Sequence, residues 1–232
     1  MPDILTSEVA YPSDGLTLTG FLARPRDEQP RQAVVVIHEW WGLNDHIKDI
    51  ARRFAGEGYV ALAPDLYSRL GHQVAKDSNE AAKLMERLQS QHALKDLNAT
   101  TAYLKTLPFV DPVKLGVVGF CMGGTFALMV AAHNSDVKAS VPFYGQIPPT
   151  DSLKYLVAPI LYIHGGQDAW IPAREAQRLA QGLKQFGRPG EVQSYPDCPH
   201  AFFNDTRPEV YRPEQAGDAW QRTLRFLDAS LR

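Results

Sequence analysis

The sequence predicts an α/β fold with a mostly parallel central sheet flanked by helices on both faces. Three observations lead there. Short continuous apolar runs at residues 33–37, 60–63, 115–118, 139–144 and 160–164 have the length and composition of strands buried on both faces. Between them lie stretches whose apolar residues recur at helical spacing, so that strand and helix alternate. At the middle of the chain, Gly119-Phe120-Cys121-Met122-Gly123-Gly124 stands between the run 115–118 and an alanine-rich helix over 125–132, which reads as strand, tight turn, helix.

Taken in order, residues 7–11 and 16–23 flank Pro12-Ser13-Asp14-Gly15, and the alternation of Leu16, Leu18, Gly20 and Leu22 predicts an opening antiparallel hairpin. A loop rich in proline and charge covers 24–32. The strand 33–37 runs into His38-Glu39-Trp40-Trp41-Gly42, then a helix capped by Asn44 or Asp45, with Ile47, Ile50, Ala51 and Phe54 on one face and Gly58 at its end. Strand 60–63 continues into Pro64-Asp65-Leu66-Tyr67, and helices follow over about 79–88 and 94–107. Beyond the central turn, strands 139–144 and 160–164 are separated by a loop with Pro148, Pro149 and Pro159. Gly165-Gly166-Gln167-Asp168 precedes a helix over 172–186. A last strand at 191–195 leads to Pro196-Asp197-Cys198-Pro199-His200, and the closing helix carries Ala216, Trp220, Thr223, Leu224, Leu227 and Leu231 on one face.

At 232 residues the chain suits one α/β domain spanning 1–232. A net charge of −2 with both signs interspersed gives no footprint for nucleic acid or an acidic membrane, so the expected partner is a small molecule. Cys121 and Cys198 are the only cysteines, without a CxxC or zinc spacing. The first residues lack the basic and apolar regions of a signal peptide, and no apolar run approaches the roughly 18 residues of a membrane span. A soluble, cytoplasmic protein, monomer or weak homodimer, is expected, with no metal and no cofactor.

In sheets of this kind ligands bind at the carboxyl ends of the strands, and Glu39, Cys121, Asp168 and His200 each lie just past such an end. The pattern Gly-x-Cys-x-Gly between strand and helix is that of a nucleophile elbow, a strained turn that exposes its central side chain. The start of the following helix favours thiolate over thiol, and the Met122 N–H stands ready as half of an oxyanion hole. His200 can accept the thiol proton and pass it to a leaving group, while Asp168 holds the imidazole in one tautomer. Simpler readings exist for each: Cys121 as a small core residue, Asp168 as a helix cap, His200 as a surface loop residue. The chain order nucleophile, acid, histidine is that of the α/β-hydrolases.

Nearly the whole chain resembles the dienelactone hydrolase (carboxymethylenebutenolidase-like) family of that fold, through His38-Glu39 with Gly42, Ala63-Pro64-Asp65-Leu66-Tyr67, Gly-Phe-Cys-Met-Gly-Gly, Phe143-Tyr144-Gly145, Gly165-Gly166-Gln167-Asp168 and His200. The resemblance implies a Cys121, Asp168, His200 triad, oxyanion N–H groups from Trp40 and Met122, and a Glu39 that faces the thiol and helps to generate the thiolate. A carboxylate beside Trp40 and Trp41 would be partly desolvated, which suits proton transfer; alternatively Glu39 pairs with Arg69 or another cation. His38-Glu39 also begins like a zinc-protease H-E-x-x-H, but Gly42 stands where the second histidine belongs.

Family members acting on dienelactone look as though they grip its carboxylate with arginines and a serine. At the matching places this chain has Asp77-Ser78-Asn79, Ala201 and Asn204. Arg69 is retained, and Lys76 or Arg207 is a possible substitute, but no anionic clamp is evident. With Trp41, Tyr67, Tyr144, Phe202 and Phe203 as candidate walls, the pocket suits a neutral ester or lactone; Trp41, Arg69, Tyr144 and Phe202 are the expected substrate-binding residues. Cys198 is read as an unpaired loop cysteine in preference to a redox partner of Cys121. A ligand receptor on the same fold and a cysteine acyltransferase or peptidase are the alternative functions.

Overall fold

Residues 3–232 are described by a computed structural model of the chain; the first two residues of the stretch read against a signal peptide lie outside it. The strands are β1 (Ile4–Ser13), β2 (Leu16–Pro25), β3 (Arg31–Ile37), β4 (Val60–Pro64), β5 (Val110–Phe120), β6 (Val137–Phe143), β7 (Ile160–Gly165) and β8 (Gly190–Tyr195). The helices are α1 (Asp45–Gly56), α2 (Ser78–Arg87), α3 (Ser90–Thr106), α4 (Met122–His133), α5 (Ala173–Gln185) and α6 (Pro213–Ser230). The strands form an eight-stranded sheet in the order β1-β2-β4-β3-β5-β6-β7-β8. Two compact units divide the chain, Met1–Val117 and Val118–Arg232. Among the described residues no helix is long and apolar enough to cross a membrane.

In the first unit the expected hairpin is present, β1 antiparallel to β2, with Tyr11 opposite Leu18. Its two-residue turn places Asp14 and Gly15 at φ +46° and +79°, the left-handed pair that an Asp-Gly turn supplies and that matches the twist of the strands. β2 pairs antiparallel with β4, and β4 parallel with β3. Every residue of β3 from Ala33 to Ile37 is buried, as its unbroken apolar run requires. Asn44 is the cap of α1, its side chain accepting the Ile47 N–H at 3.2 Å, which settles the choice between Asn44 and Asp45. A 3-10 turn at Ser68–Leu70, which the sequence does not signal, follows β4.

In the second unit β6, β7 and β8 are parallel neighbours. β5 starts earlier than its apolar run because Asp111, Pro112 and Lys114 mask the pattern and Val113 is exposed. The Pro148–Pro159 connection holds a 3-10 segment, Thr150–Tyr155. Arg178 of α5 ties this connection down by donating to the carbonyls of Ile147 and Pro148. On α6 the buried face is Ala216, Ala219, Thr223, Leu224 and Leu227. Trp220, expected within that face, is half-buried at its margin, its ring 6.4 Å from that of Phe203.

The turn after β5 is held by backbone packing. Cys121 has φ +54° and ψ −116°, a strained conformation for a residue with a Cβ. Its N–H donates to the Phe143 carbonyl and its own carbonyl accepts from Thr125. A Cβ on Gly119 would lie 2.0 Å from the Gly123 oxygen, and one on Gly124 would lie 2.4 Å from the Phe143 oxygen. These glycines are there because backbone passes where a side chain would be. Gly119→Ala is therefore expected to cost about 3 kcal/mol, since backbone cannot yield as a side chain can. Gly217→Ala, at an open position inside α6, should instead raise stability by about 0.5–1 kcal/mol. Chemical denaturation of the two variants checks both.

Candidate active site

Cys121 caps α4 and is 9% exposed, with Met122 opening the helix behind it. The turn after β7 brings Asp168 into the same unit, and the turn after β8 brings His200. These last two turns are joined through their backbones. Gly166 N–H donates to the Tyr195 carbonyl at 2.7 Å and Gln167 N–H to the Cys198 carbonyl at 2.9 Å. A Cβ on Gly165 would fall 2.6 Å from the oxygens of Cys198 and Pro199, and one on Gly166 2.6 Å from that of Pro196, so the Gly165-Gly166 pair is what permits the approach.

Across this junction His200 Nδ1–H donates to Asp168 Oδ2 at 2.7 Å. The other carboxylate oxygen accepts the N–H groups of Trp170 at 2.8 Å and Ile171 at 2.9 Å. Asp168 therefore organises its own turn while orienting the imidazole; it does not cap α5, whose cap is Pro172. Below it, buried His164 supports the turn. Its Nε2 lies 2.8 Å from the Ile171 carbonyl and its Nδ1 3.1 Å from Ser194 Oγ. A carbonyl only accepts, so Nε2 carries the hydrogen.

Burial opposes a charge on His200, but Asp168 and the Cys121 side chain outweigh it and lift the imidazole pKa to about 10. Its Nε2 is buried and makes no hydrogen bond of good geometry among the described residues. Trp170 stacks on the imidazole, centroids 5.3 Å apart at 20°. Tyr144, at φ +39°, brings its ring to 5.0 Å. Tyr144 and Phe202 are fully buried in a ring cluster with Phe120, Phe143 and Phe203. Cys198 is buried and unpaired, and burial pushes its thiol up to about 11, away from the reactive thiolate.

In the first unit, Glu39 is 2% exposed in the turn after β3. His38 fixes this turn: its Nε2 accepts the Leu66 N–H at 3.1 Å and its Nδ1 lies 2.5 Å from the Glu39 carbonyl. Burial lowers the proton affinity of His38, which keeps one nitrogen an acceptor. The Glu39 carbonyl and the Trp40 N–H belong to one planar peptide group, so His38 orients both. Tyr67 Oη donates to the Trp40 carbonyl at 2.9 Å, and Trp40 and Trp41 meet edge to face at 5.2 Å.

The alternative pairing of Glu39 with Arg69 gives way to a different one. Arg69 Nε and NH2 form a bidentate pair with buried Asp96 at 2.8 and 2.7 Å, and Ser13 donates to the same carboxylate at 2.7 Å. The guanidinium expected to meet substrate is thus committed to the frame. Asp77 caps α2 by accepting from Asn79 and Glu80. Arg207 pairs with Glu209 at 2.8 Å, and buried Asn204 accepts from Thr206. Trp170 and His164 carry no expected role in the sequence, and His38 enters there only as part of the His38-Glu39 motif. Trp170 had one available signal, its place two residues after the acid, where an aspartate turn draws the backbone back.

The dienelactone hydrolase family model matches residues 18–231. A protein of Yersinia pestis named "Putative carboxymethylenebutenolidase" is 38% identical over 94% of this chain and 85% of its own length. One of the same name from Synechocystis is 35% identical over 99% of both chains. A crystal structure titled as a "Putative Dienelactone Hydrolase" from Klebsiella pneumoniae superposes with a TM-score of 0.91 at 32% identity, covering 97% of this chain and 99% of that one. The fold is that of the α/β-hydrolases, and the chain belongs to the dienelactone hydrolase family, as a carboxylic ester hydrolase of that type.

Proposed function

We propose that this enzyme hydrolyses a small ester or lactone through a Cys121 acyl-enzyme, with His200 and Asp168 completing the triad and residues 1–232 acting as one catalytic domain. The observation that carries the reading is the Asp168–His200 hydrogen bond, built on two turns locked together behind a strained cysteine elbow.

Cys121 attacks the carbonyl carbon as the thiolate partner of the His200 imidazolium. The tetrahedral oxyanion takes hydrogen bonds from the N–H groups of Trp40 and Met122. As the C–O bond breaks, Nε2 gives its proton to the leaving oxygen, leaving a thioester and neutral imidazole. Water then loses a proton to His200 as it attacks the thioester, and collapse of the second intermediate restores thiolate, imidazolium and a free carboxylic acid. The roles of Trp40, Met122 and Glu39, the last as a proton-handling group beside the thiol, rest on the family resemblance. A neutral substrate is favoured because Arg69 and Arg207 are already paired with Asp96 and Glu209.

Steady-state hydrolysis of a short p-nitrophenyl ester tests the reading. Cys121→Ala should lower turnover at least about 100-fold with the fold intact; an equally active variant would overturn it. Asp168→Asn, which removes the acceptor that sets the tautomer, should cost about 10³-fold in kcat. The same pair has a stability signature. The folded pKa of His200 is raised to about 10 from an ordinary value of about 6.5. Its stabilisation is therefore complete below pH ~6.5 and lost as pH rises through about 10. Denaturation across that window should show wild type losing its advantage over Asp168→Asn.

A further inference from the structure

Of the four tryptophans, Trp170 alone is exposed among the described residues, at 55%. A singly exposed apolar side chain is ordinary on a protein surface; what sets Trp170 apart is where its ring lies. Its ring does not sit on bare surface: it lies stacked against the imidazole of His200, itself 17% exposed at its side chain. The other ring close to His200, Tyr144, has no exposed surface. Trp170 is thus the aromatic neighbour of His200 that a bound molecule can touch.

The placement is also fixed. Asp168 Oδ1 holds the Trp170 N–H while Oδ2 holds the His200 ring. One carboxylate therefore sets both the imidazole and the main chain from which the indole extends. Any group that accepts a proton from His200 must bring its oxygen within about 3 Å of Nε2, so the first carbons attached to that oxygen lie within contact distance of the imidazole's surroundings. In ester cleavage that group is the leaving alcohol.

We infer that Trp170 is a leaving-group platform that makes the enzyme selective for aryl esters, whose leaving group is a phenol, over esters of small aliphatic alcohols. This deepens the hydrolase reading and rests on it. Offset stacking of a phenyl ring on the indole supplies the selectivity. The acyl half of the substrate, bonded to Cys121, is not what Trp170 selects.

The test compares phenyl acetate with ethyl acetate, which share an acyl group, in wild type, Trp170→Phe and Trp170→Ala. The intrinsic reactivity of each ester cancels in the variant-to-wild-type ratio. Trp170→Ala should lower kcat/KM for phenyl acetate about three- to tenfold, the scale of one aromatic stack, and change that for ethyl acetate less than about twofold; Trp170→Phe should recover most of the loss. An equal fall with both esters would mean that the indole only shields or supports His200, and would overturn the platform. No change with either ester would overturn it too. Should wild type turn over neither ester, the hydrolase reading itself fails. Saturation-transfer NMR with phenol still decides the platform: a signal in wild type that Trp170→Ala abolishes upholds it, and an unchanged signal removes it.

Discussion

The two oxygens of Asp168 do separate work, and the chemistry of the second unit depends on that division. One oxygen accepts two backbone N–H groups and shapes the turn; the other accepts the imidazole N–H. A carboxylate so supplied with donors has little freedom to move, so the ring it holds is placed by the turn's own folding. His164 extends the arrangement inward by gripping the carbonyl of Ile171, the residue whose N–H the carboxylate holds. Position is transmitted from the exposed Ser194 through buried His164, Ile171 and Asp168 to His200, and in the buried part of that chain unmade hydrogen bonds are costly.

The first unit shows the same logic in a different chemical form. His38, neutral because it is buried, bridges the Leu66 N–H and the Glu39 carbonyl. Tyr67 pins the next carbonyl, and Arg69 is drawn into the Asp96 pair. The residues after β4 thereby hold the residues after β3. Asp65-Leu66-Tyr67 contributes a backbone donor and a hydroxyl to this arrangement, and Asp65 tightens its own turn by accepting the Tyr67 N–H. The motif is a brace.

What could be read in advance follows from what leaves a local trace. The strands of unbroken apolar residues, the Asp14-Gly15 hairpin, the Asn44 cap and the small-residue elbow each write their geometry into neighbouring residues. The pairing of Asp168 with His200 was equally legible, from their places past β7 and β8. Substrate-facing residues were not. Arg69 looks the same in sequence whether it meets a ligand or a buried aspartate 27 residues on, and the choice is made by where α3 delivers Asp96. Tyr144 and Phe202 read as pocket walls, and ring packing places both in a fully buried cluster. Trp170 left only the trace of its place two residues after Asp168, because its partner, His200, is 30 positions away and the turns that unite them are joined by backbone.

The clasp between the turns after β7 and β8 is made of main-chain donors and acceptors, at Gly166, Gln167, Tyr195 and Cys198, with close approach permitted by Gly165 and Gly166. No side chain is a member of it. The distance between acid and base is therefore insulated from the identity of the residues that cover the two turns. Gln167, Asp197 and Trp170, all exposed, can be exchanged during divergence or engineering without altering the spacing of Asp168 and His200. The Asp168–His200 geometry and the surface that surrounds it are separately inheritable here.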